Sequence, residues 1–472
     1  MSATRLRLAE VLNHLPPEWP DDPQPAIKAA LQTTPMKVVV LDDDPTGTQT
    51  VHGIPVLTEW PIPALRAELD NELSVFFLLT NSRSLPLAEA QALNADIGRN
   101  LKQAAQPTGR RYVVVSRSDS TLRGHFPGEV TALAEALGQN FDAWLLIPFF
   151  QEGGRYTIED THYVAEGDTL VPAGETEFAR DTVFGYRASN LRQWVEEKTA
   201  GRVVAATVTS VSLDDIRRGG PHRVAAQLSA LSGGRVCVVN AASRRDMEVF
   251  TQGLLTAEAS GKRFLYRTAA SFVPVRAGIV PRSLLTPSEV VTTEAGGGLI
   301  LVGSHVPRTT SQLEHLLRLP GVVPIVVDVA SLLSEAHGEE TIKQVAQQAD
   351  ASLRRHEDVV LFTSRQLVTG TDAASSLSIG QRVSAGLVAM LQALTTRPRY
   401  ILAKGGITSS DMATRGLGVR RAMVLGQILP GVPVWQLGAE TRHPGLSYIV
   451  FPGNVGGPEA LSEVVTALRT TL

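Results

Sequence analysis

The sequence is poor in the residues that build disulfide scaffolds, membrane spans and nucleic-acid grips. It has one cysteine, Cys237, so no intramolecular disulfide can form and a reducing compartment fits. Cys237 sits in the apolar run Val236–Val239, where it reads as a small buried hydrophobe. No apolar stretch reaches the roughly 18–20 residues that a bilayer-crossing helix needs. Met1–Pro20 also lacks a basic region followed by an apolar one, so the expected location is the cytoplasm, with no membrane partner. Aromatic residues make up 5%, and no dense basic run is interleaved with them. With 44 Lys and Arg against 47 Asp and Glu, a net charge of -3, the chain lacks the cationic excess that nucleic acid demands.

What is present builds cores. The 472 residues are 43% hydrophobic and 19% charged, and a chain of this length outgrows one core, so two domains are expected. Short apolar runs alternate with longer amphipathic stretches, the rhythm of parallel α/β architecture. Lys37–Leu41, Ser74–Leu79, Tyr112–Val115, Ala143–Ile147, Arg202–Ala206 and Arg235–Val239 read as strands of a first domain. Pro274, Gly278, Pro281, Pro287 and Gly296–Gly298 interrupt the pattern. It resumes with Leu299–Val302, Val322–Val327, Asp358–Phe362, Tyr400–Ala403 and Val432–Gln436. The expected organisation is an N-terminal extension over 1–35 with one short helix near Thr4–Leu15, an α/β domain over 36–285 and a second over 286–472. Both would have largely parallel or mixed sheets, with the active-site cleft between them.

Ligands of open α/β sheets bind beyond the carboxyl ends of the strands, and those positions are polar and glycine-rich here. Lys37–Leu41 runs into Asp42, Asp43 and Asp44 and then Pro45-Thr46-Gly47. Three adjacent carboxylates resist folding unless a metal or basic group compensates them. Asp43 or Asp44 could accept a proton from an attacking hydroxyl or hold Mg²⁺, with Thr46 and the Gly47 backbone as hydrogen-bond donors. The two should point in different directions. Asn81-Ser82-Arg83 and Ser116–Gly124 follow the next strands, where Arg83, Arg117 and Arg123 offer forked donors for an anion and Ser82, Asp119 and Ser120 suit a polyhydroxylated ligand. Pro148–Arg155 adds two glycines and Arg155 on the substrate side, and His162 is either a substrate-orienting or a structural residue.

In the second half, Ser304 follows a strand and either contacts a nucleotide or caps a helix over Thr309–Leu317. Tyr400–Asp411 carries a strand into Gly405-Gly406, hydroxyl residues and a helix start, a phosphate cradle that is not a Walker A sequence. Phe451–Gly457 supplies another glycine loop. No Gly-x-Gly-x-x-Gly follows a strand in the first half, which argues against a dinucleotide enzyme.

In order, Asp42–Gly47, Asn81–Arg83, Ser118–Gly124, Gly154-Arg155 with His162–Val164, Gly405–Thr408 and Pro452–Gly456 resemble the motifs of the four-carbon acid sugar kinase family, from about Lys37 onward. The resemblance implies ATP-dependent phosphorylation of acids such as threonate, erythronate or 3-oxo-tetronate. It places Asp43, Asp44, Arg83, Asp119 and Arg123 on the acid's side and Ser304, Gly405–Thr408 and Gly453 on the nucleotide's. With neighbouring positions, the expected substrate set is Thr46, Gly47, Ser82, Arg83, Arg117, Asp119, Ser120, Arg123 and Arg155. The expected nucleotide set is Ser304, Lys404, Gly405, Gly406, Ile407, Thr408, Gly453 and Asn454, with Mg²⁺ accompanying ATP and its ligands unassigned. This chain departs from the family pattern at Asp42, where an alanine is common, at Pro45 and Thr48, and at Phe451-Pro452, where many members carry a lysine. A nucleotide-responsive binding protein without turnover, or a metal-dependent aldolase or hydrolase built on the acidic loop, is the competing reading. The sequence leaves homo-oligomerisation open.

Overall fold

The computed structural model describes residues 6–291, 296–365, 368, 373–453 and 455–469. The chain divides into two compact units. One comprises the residues up to Val51 with Glu59–Pro281, and the other His52–Thr58 with the residues from Arg282 onward. The excursion at 52–58 supplies the second unit with the strand Ile54–Leu57, antiparallel to Arg421–Leu429.

In the first unit, a seven-stranded sheet runs in the order Thr209–Val211, Arg235–Val239, Ala143–Ile147, Phe264–Thr268, Tyr112–Arg117, Lys37–Asp42, Val75–Leu79. Every pairing is parallel. Parallel strands covered on both faces read as unbroken apolar runs, as Val75-Phe-Phe-Leu-Leu79 does, and all five of its residues are buried. Each such side chain contributes about 1.5–3 kcal/mol, so Phe77→Ala would cost about 3–5 kcal/mol. The register aligns Asp42 with both Arg117 and Leu79, and Arg117 with Thr268. Four neighbouring strands thus end level and deliver their following loops to one edge.

The run Arg202–Ala206 is not a strand. The Val203 and Ala205 N–H groups donate to the Thr199 hydroxyl and the Glu196 carboxylate, at 3.1 and 3.0 Å, so they are withdrawn from any ladder. The strand forms instead at Thr209–Val211. The N-terminal segment carries two helices, Leu8–His14 and Gln24–Thr33. It is anchored by Arg217, which donates to the Pro16 carbonyl at 2.8 Å. A separate antiparallel sheet, Leu6–Arg7, Thr169–Pro172, Thr161–Glu166, Arg155–Ile158, carries Arg155 and His162.

The second unit has five parallel strands, in the order Ser447–Phe451, Tyr400–Lys404, Leu299–Val302, Asp358–Thr363, Val322–Val327. Val432–Leu437, Arg421–Leu429 and Ile54–Leu57 extend this sheet antiparallel. Among the described residues no helix is long and apolar enough to cross a membrane.

Candidate active site

In the first unit, the three consecutive aspartates meet three environments. Asp42, nearly inaccessible, pairs with Arg117 at 3.3 Å. Burial outweighs that pairing and pushes its carboxyl up to about 8. Gly47 folds directly over it, since a Cβ there would lie 1.9 Å from Asp42 Oδ2. Asp44 caps the short 3₁₀ turn Pro45–Thr50. It accepts from the Thr46 N–H at 2.8 Å and from the Thr46 hydroxyl, and it pairs with Arg83. Burial opposes its ionisation, but Arg83 and Thr46 prevail and hold the carboxyl below its ordinary value. Thr46 therefore spends its donors on Asp44, and the Gly47 N–H goes to the Asp44 carbonyl at 3.1 Å.

Asp43 differs. It is 4% exposed, and neither carboxylate oxygen has a hydrogen-bond partner among the described residues. Its nearest cation is Arg83, with Nη1 at 3.9 Å. Burial raises its carboxyl to about 6 against the pull of Arg83, leaving a group that is ionised at neutral pH and able to take up a proton.

Arg83 lies within reach of Asp43, Asp44 and Asp119, the last at 3.2 Å. Burial works against its charge, and these carboxylates restore it. Asn81 enters this loop in a left-handed conformation with φ 49°, and Ser82 is buried, accepting from Thr80 at 3.1 Å. Asp119 accepts from Arg123 Nε at 2.9 Å and from the Thr121 hydroxyl. Although buried, it is held well below the usual carboxylate range by Arg123 and Arg83. Arg155 is not ion-paired among the described residues, and its buried Nε has no hydrogen-bond partner. Burial weakens its hold on a proton.

His162 is fully buried, and its ring faces protein on both sides. The Ser120 carbonyl, 2.7 Å away, can only accept, so Nε2 carries the hydrogen, and Nδ1 accepts from Thr157 Oγ1 at 3.0 Å. Burial lowers it to about 4, so it stays neutral and fixes the Ser120 loop rather than a ligand.

Two charged groups here carry no motif. Arg267, next to last in Phe264–Thr268, is buried and not ion-paired among the described residues. It donates to the Arg123 carbonyl at 3.1 Å and lies over Phe126 and Trp194. Glu129, buried and raised by that burial, accepts from Asn94 at 3.2 Å. The strand-end rule would have found Arg267 had Phe264–Thr268 been recognised as a strand.

In the second unit, Ser304, Gly405, Thr408 and Gly453 converge. A Cβ on Gly405, whose φ is 112°, would lie 3.0 Å from Ser304 Cβ, and one on Gly453 3.7 Å from Ser304 Oγ. Ser304 Oγ accepts from Thr309 at 3.3 Å, and the helix after it spans Pro307–Leu316. Gly406 begins the helix Gly406–Asp411, and Ile407 beside it is 60% exposed. Lys404 is fully buried. Its ammonium donates to the Pro452 carbonyl and, at 3.2 Å, to that of Gly453, and lies 4.2 Å from the Phe451 ring centre. It therefore clamps the last glycine loop from behind. Burial, with a smaller effect from Arg308, lowers it to about 7. Asn454 lies outside the described residues. No group of three or more His, Cys, Asp or Glu side chains suited to a metal occurs among the described residues.

The chain thus pairs a first unit gathering arginines and carboxylates at parallel strand ends with a second presenting a glycine-lined backbone cradle, the construction of a two-domain small-molecule phosphotransferase. Residues 38–276 match the sugar-binding N-terminal domain, and residues 299–461 match the nucleotide-binding C-terminal domain. The chain belongs to the four-carbon acid sugar kinase family that these two domains define. It is 27% identical over 442 residues to a 3-oxo-tetronate kinase of Cupriavidus necator, covering 90% of this chain and 94% of that protein. It is 24% identical over 372 residues to a D-erythronate kinase of Heliobacterium modesticaldum, covering 75% and 78%. It is also 26% identical over 386 residues to a D-threonate kinase of Cupriavidus necator, covering 81% and 84%. The fold matches a crystal structure from Salmonella typhimurium LT2 with a TM-score of 0.66 at 18% identity, covering 92% of this chain and 98% of that one. A Haemophilus influenzae protein of the DUF1537 family matches with 0.61 at 20% identity, covering 92% and 99%.

Proposed function

We propose that this protein is an ATP-dependent kinase that phosphorylates a hydroxyl of a four-carbon sugar acid, with Asp43 as the proton acceptor. The observation that carries the assignment is the contrast within the acidic loop: Asp43 alone of the three aspartates is buried without a hydrogen bond to either oxygen. Asp44 is occupied as a helix cap and Arg83 partner, and Asp42 is sealed under Gly47.

The acceptor hydroxyl oxygen forms a bond to the γ-phosphorus as the bond to the β,γ-bridging oxygen breaks, and ADP leaves. The hydroxyl proton passes to Asp43, whose value of about 6 suits a base working near neutrality. Arg155, which makes no ion pair among the described residues and whose buried Nε has no hydrogen-bond partner, suits the acid's own carboxylate. Arg83 and Arg123, fixed by Asp44 and Asp119, supply oriented donors. The phosphates fit the Ser304, Gly405–Thr408 and Gly453 backbone, where glycine leaves room for close approach. With no group of three or more metal-suited side chains among the described residues, Mg²⁺ would enter with ATP and would supply charge neutralisation at the phosphates. Cytoplasmic location accords with a substrate of this kind.

The test is coupled ADP release with ATP, Mg²⁺ and, in turn, D-threonate, D-erythronate and 3-oxo-tetronate. Acid-dependent turnover supports the reading. Nucleotide binding with no turnover on any of the three supports the non-catalytic alternative.

A further inference from the structure

Arg123 and Arg155 come from different parts of the first unit, yet one aromatic ring serves both. Arg123 Cζ lies 5.1 Å and Arg155 Cζ 5.8 Å from the ring centre of Phe178. Phe178 belongs to the short 3₁₀ turn Glu177–Arg180. This stretch is tied to the Asp119–His125 loop at three further points. Asp181, which ends the turn, pairs with Arg123 at 3.7 Å. The Phe184 ring meets His125 edge-on at 4.9 Å, and the Tyr186 hydroxyl donates to the Thr121 carbonyl at 2.7 Å.

The two guanidinium groups on this ring are not equivalent. Arg123 is neutralised by Asp119 and Asp181. Arg155 is not ion-paired among the described residues, and its buried Nε lacks a hydrogen bond. An aromatic face attracts a guanidinium without consuming its N–H donors, which point outward from the ring edge. An arginine held over a ring face therefore keeps its fork for a carboxylate, which the flexible point charge of a lysine cannot do.

We propose that Phe178 is the positioning residue for substrate recognition, holding the Arg155 guanidinium in the plane that receives the carboxylate of the acceptor acid. This rests on the sugar-acid kinase reading above. Phe178 contributes to capture of the acid and not to phosphoryl transfer, so its loss separates KM from kcat.

The experiment compares the full-length wild type with F178L, F178Y and R155K in steady-state kinetics with D-threonate, D-erythronate and 3-oxo-tetronate, alongside ADP affinity by calorimetry. F178L is expected to raise the KM of the accepted acid about 5–30-fold, the range for losing a partly buried cation–π contact. Its kcat should stay within about threefold and its ADP affinity unchanged, and F178Y should restore wild-type KM. R155K, which keeps the charge but loses the planar fork, should show the same KM rise, and it stands in if F178L does not fold. Wild-type KM in F178L or R155K overturns the proposal while leaving the kinase reading intact. Parallel loss of kcat, acid affinity and ADP affinity in F178L, not restored by tyrosine, also overturns it by assigning Phe178 to the fold. A wild type that turns over none of the three acids removes the kinase reading and this proposal together.

Discussion

Asp43 and Asp44 are adjacent in the chain, yet their carboxylates occupy opposite electrostatic environments. Asp44 accepts from Thr46 and pairs with Arg83, which keeps it ionised, whereas both Asp43 oxygens lack a hydrogen bond and burial raises that carboxyl to about 6. Asp43→Asn should therefore lower kcat about 10²–10⁴-fold, the usual worth of general-base assistance, with ADP affinity unchanged. Asp44→Asn keeps the cap, since asparagine caps as well as aspartate, and should act mainly on stability through loss of the Arg83 pair. Turnover in both variants, with unfolding midpoints in urea, checks the division. Near-normal turnover in Asp43→Asn moves the base elsewhere.

The base must be ionised to work, and its folded value lies above the ordinary carboxylate range. kcat/KM for the acid should accordingly fall as pH drops through about 6, and the value for a solvated aspartate, about 4, should not describe this limb. The pH–rate profile of the wild type checks it.

Asp42 makes a separate prediction about stability. Its carboxyl is raised to about 8 in the fold, while in the unfolded chain it ionises near 3.8. Between those values the folded state binds the extra proton, so stability falls as pH rises across this window, by at most about 1.4 kcal/mol per pH unit. Asp42→Asn keeps the shape beneath Gly47 and removes the titration. The melting temperature of the variant relative to wild type should rise progressively from pH 5 to pH 8, and a constant difference would contradict the assignment.

The second unit predicts a backbone requirement. Gly405 has a φ of 112°, and a Cβ there would press on Ser304 at 3.0 Å. Gly405→Ala should cost about 1–3 kcal/mol in backbone strain and lower ADP affinity about tenfold or more. Lys404→Met, which keeps the buried stem but frees the Pro452 and Gly453 carbonyls, should weaken ADP binding while leaving acid binding intact. Calorimetry with ADP and with the acid separates these effects.

The sequence exposed the parallel strands because burial on both faces writes them as apolar runs, and Lys37–Asp42, Val75–Leu79 and Ala143–Ile147 are where that rule places them. The rule misled at Arg202–Ala206, where Val204 is 48% exposed and side chains of the preceding helix capture the backbone donors. It passed over Arg421–Leu429, an antiparallel strand whose residues alternate between buried and half-buried, and Phe264–Thr268, whose last residues are Arg267 and Thr268. The acidic and arginine loops were visible as chemistry after strands. The sequence could not tell which aspartate lacks a partner, because the answer lies in Gly47 covering Asp42 and Thr46 folding back on Asp44. Phe178 was invisible for a related reason: its position beneath two arginines far from it in sequence is a product of tertiary packing alone.

The measurement that bears most directly on this account is phosphorus NMR of the wild type incubated with ATP, Mg²⁺ and each of D-threonate, D-erythronate and 3-oxo-tetronate. The account predicts that at least one acid gives a phosphomonoester resonance that grows in step with ADP and forms about 10²–10⁴-fold more slowly in Asp43→Asn. ADP formation without a phosphorylated acid, or a phosphomonoester formed equally fast by Asp43→Asn, would contradict it.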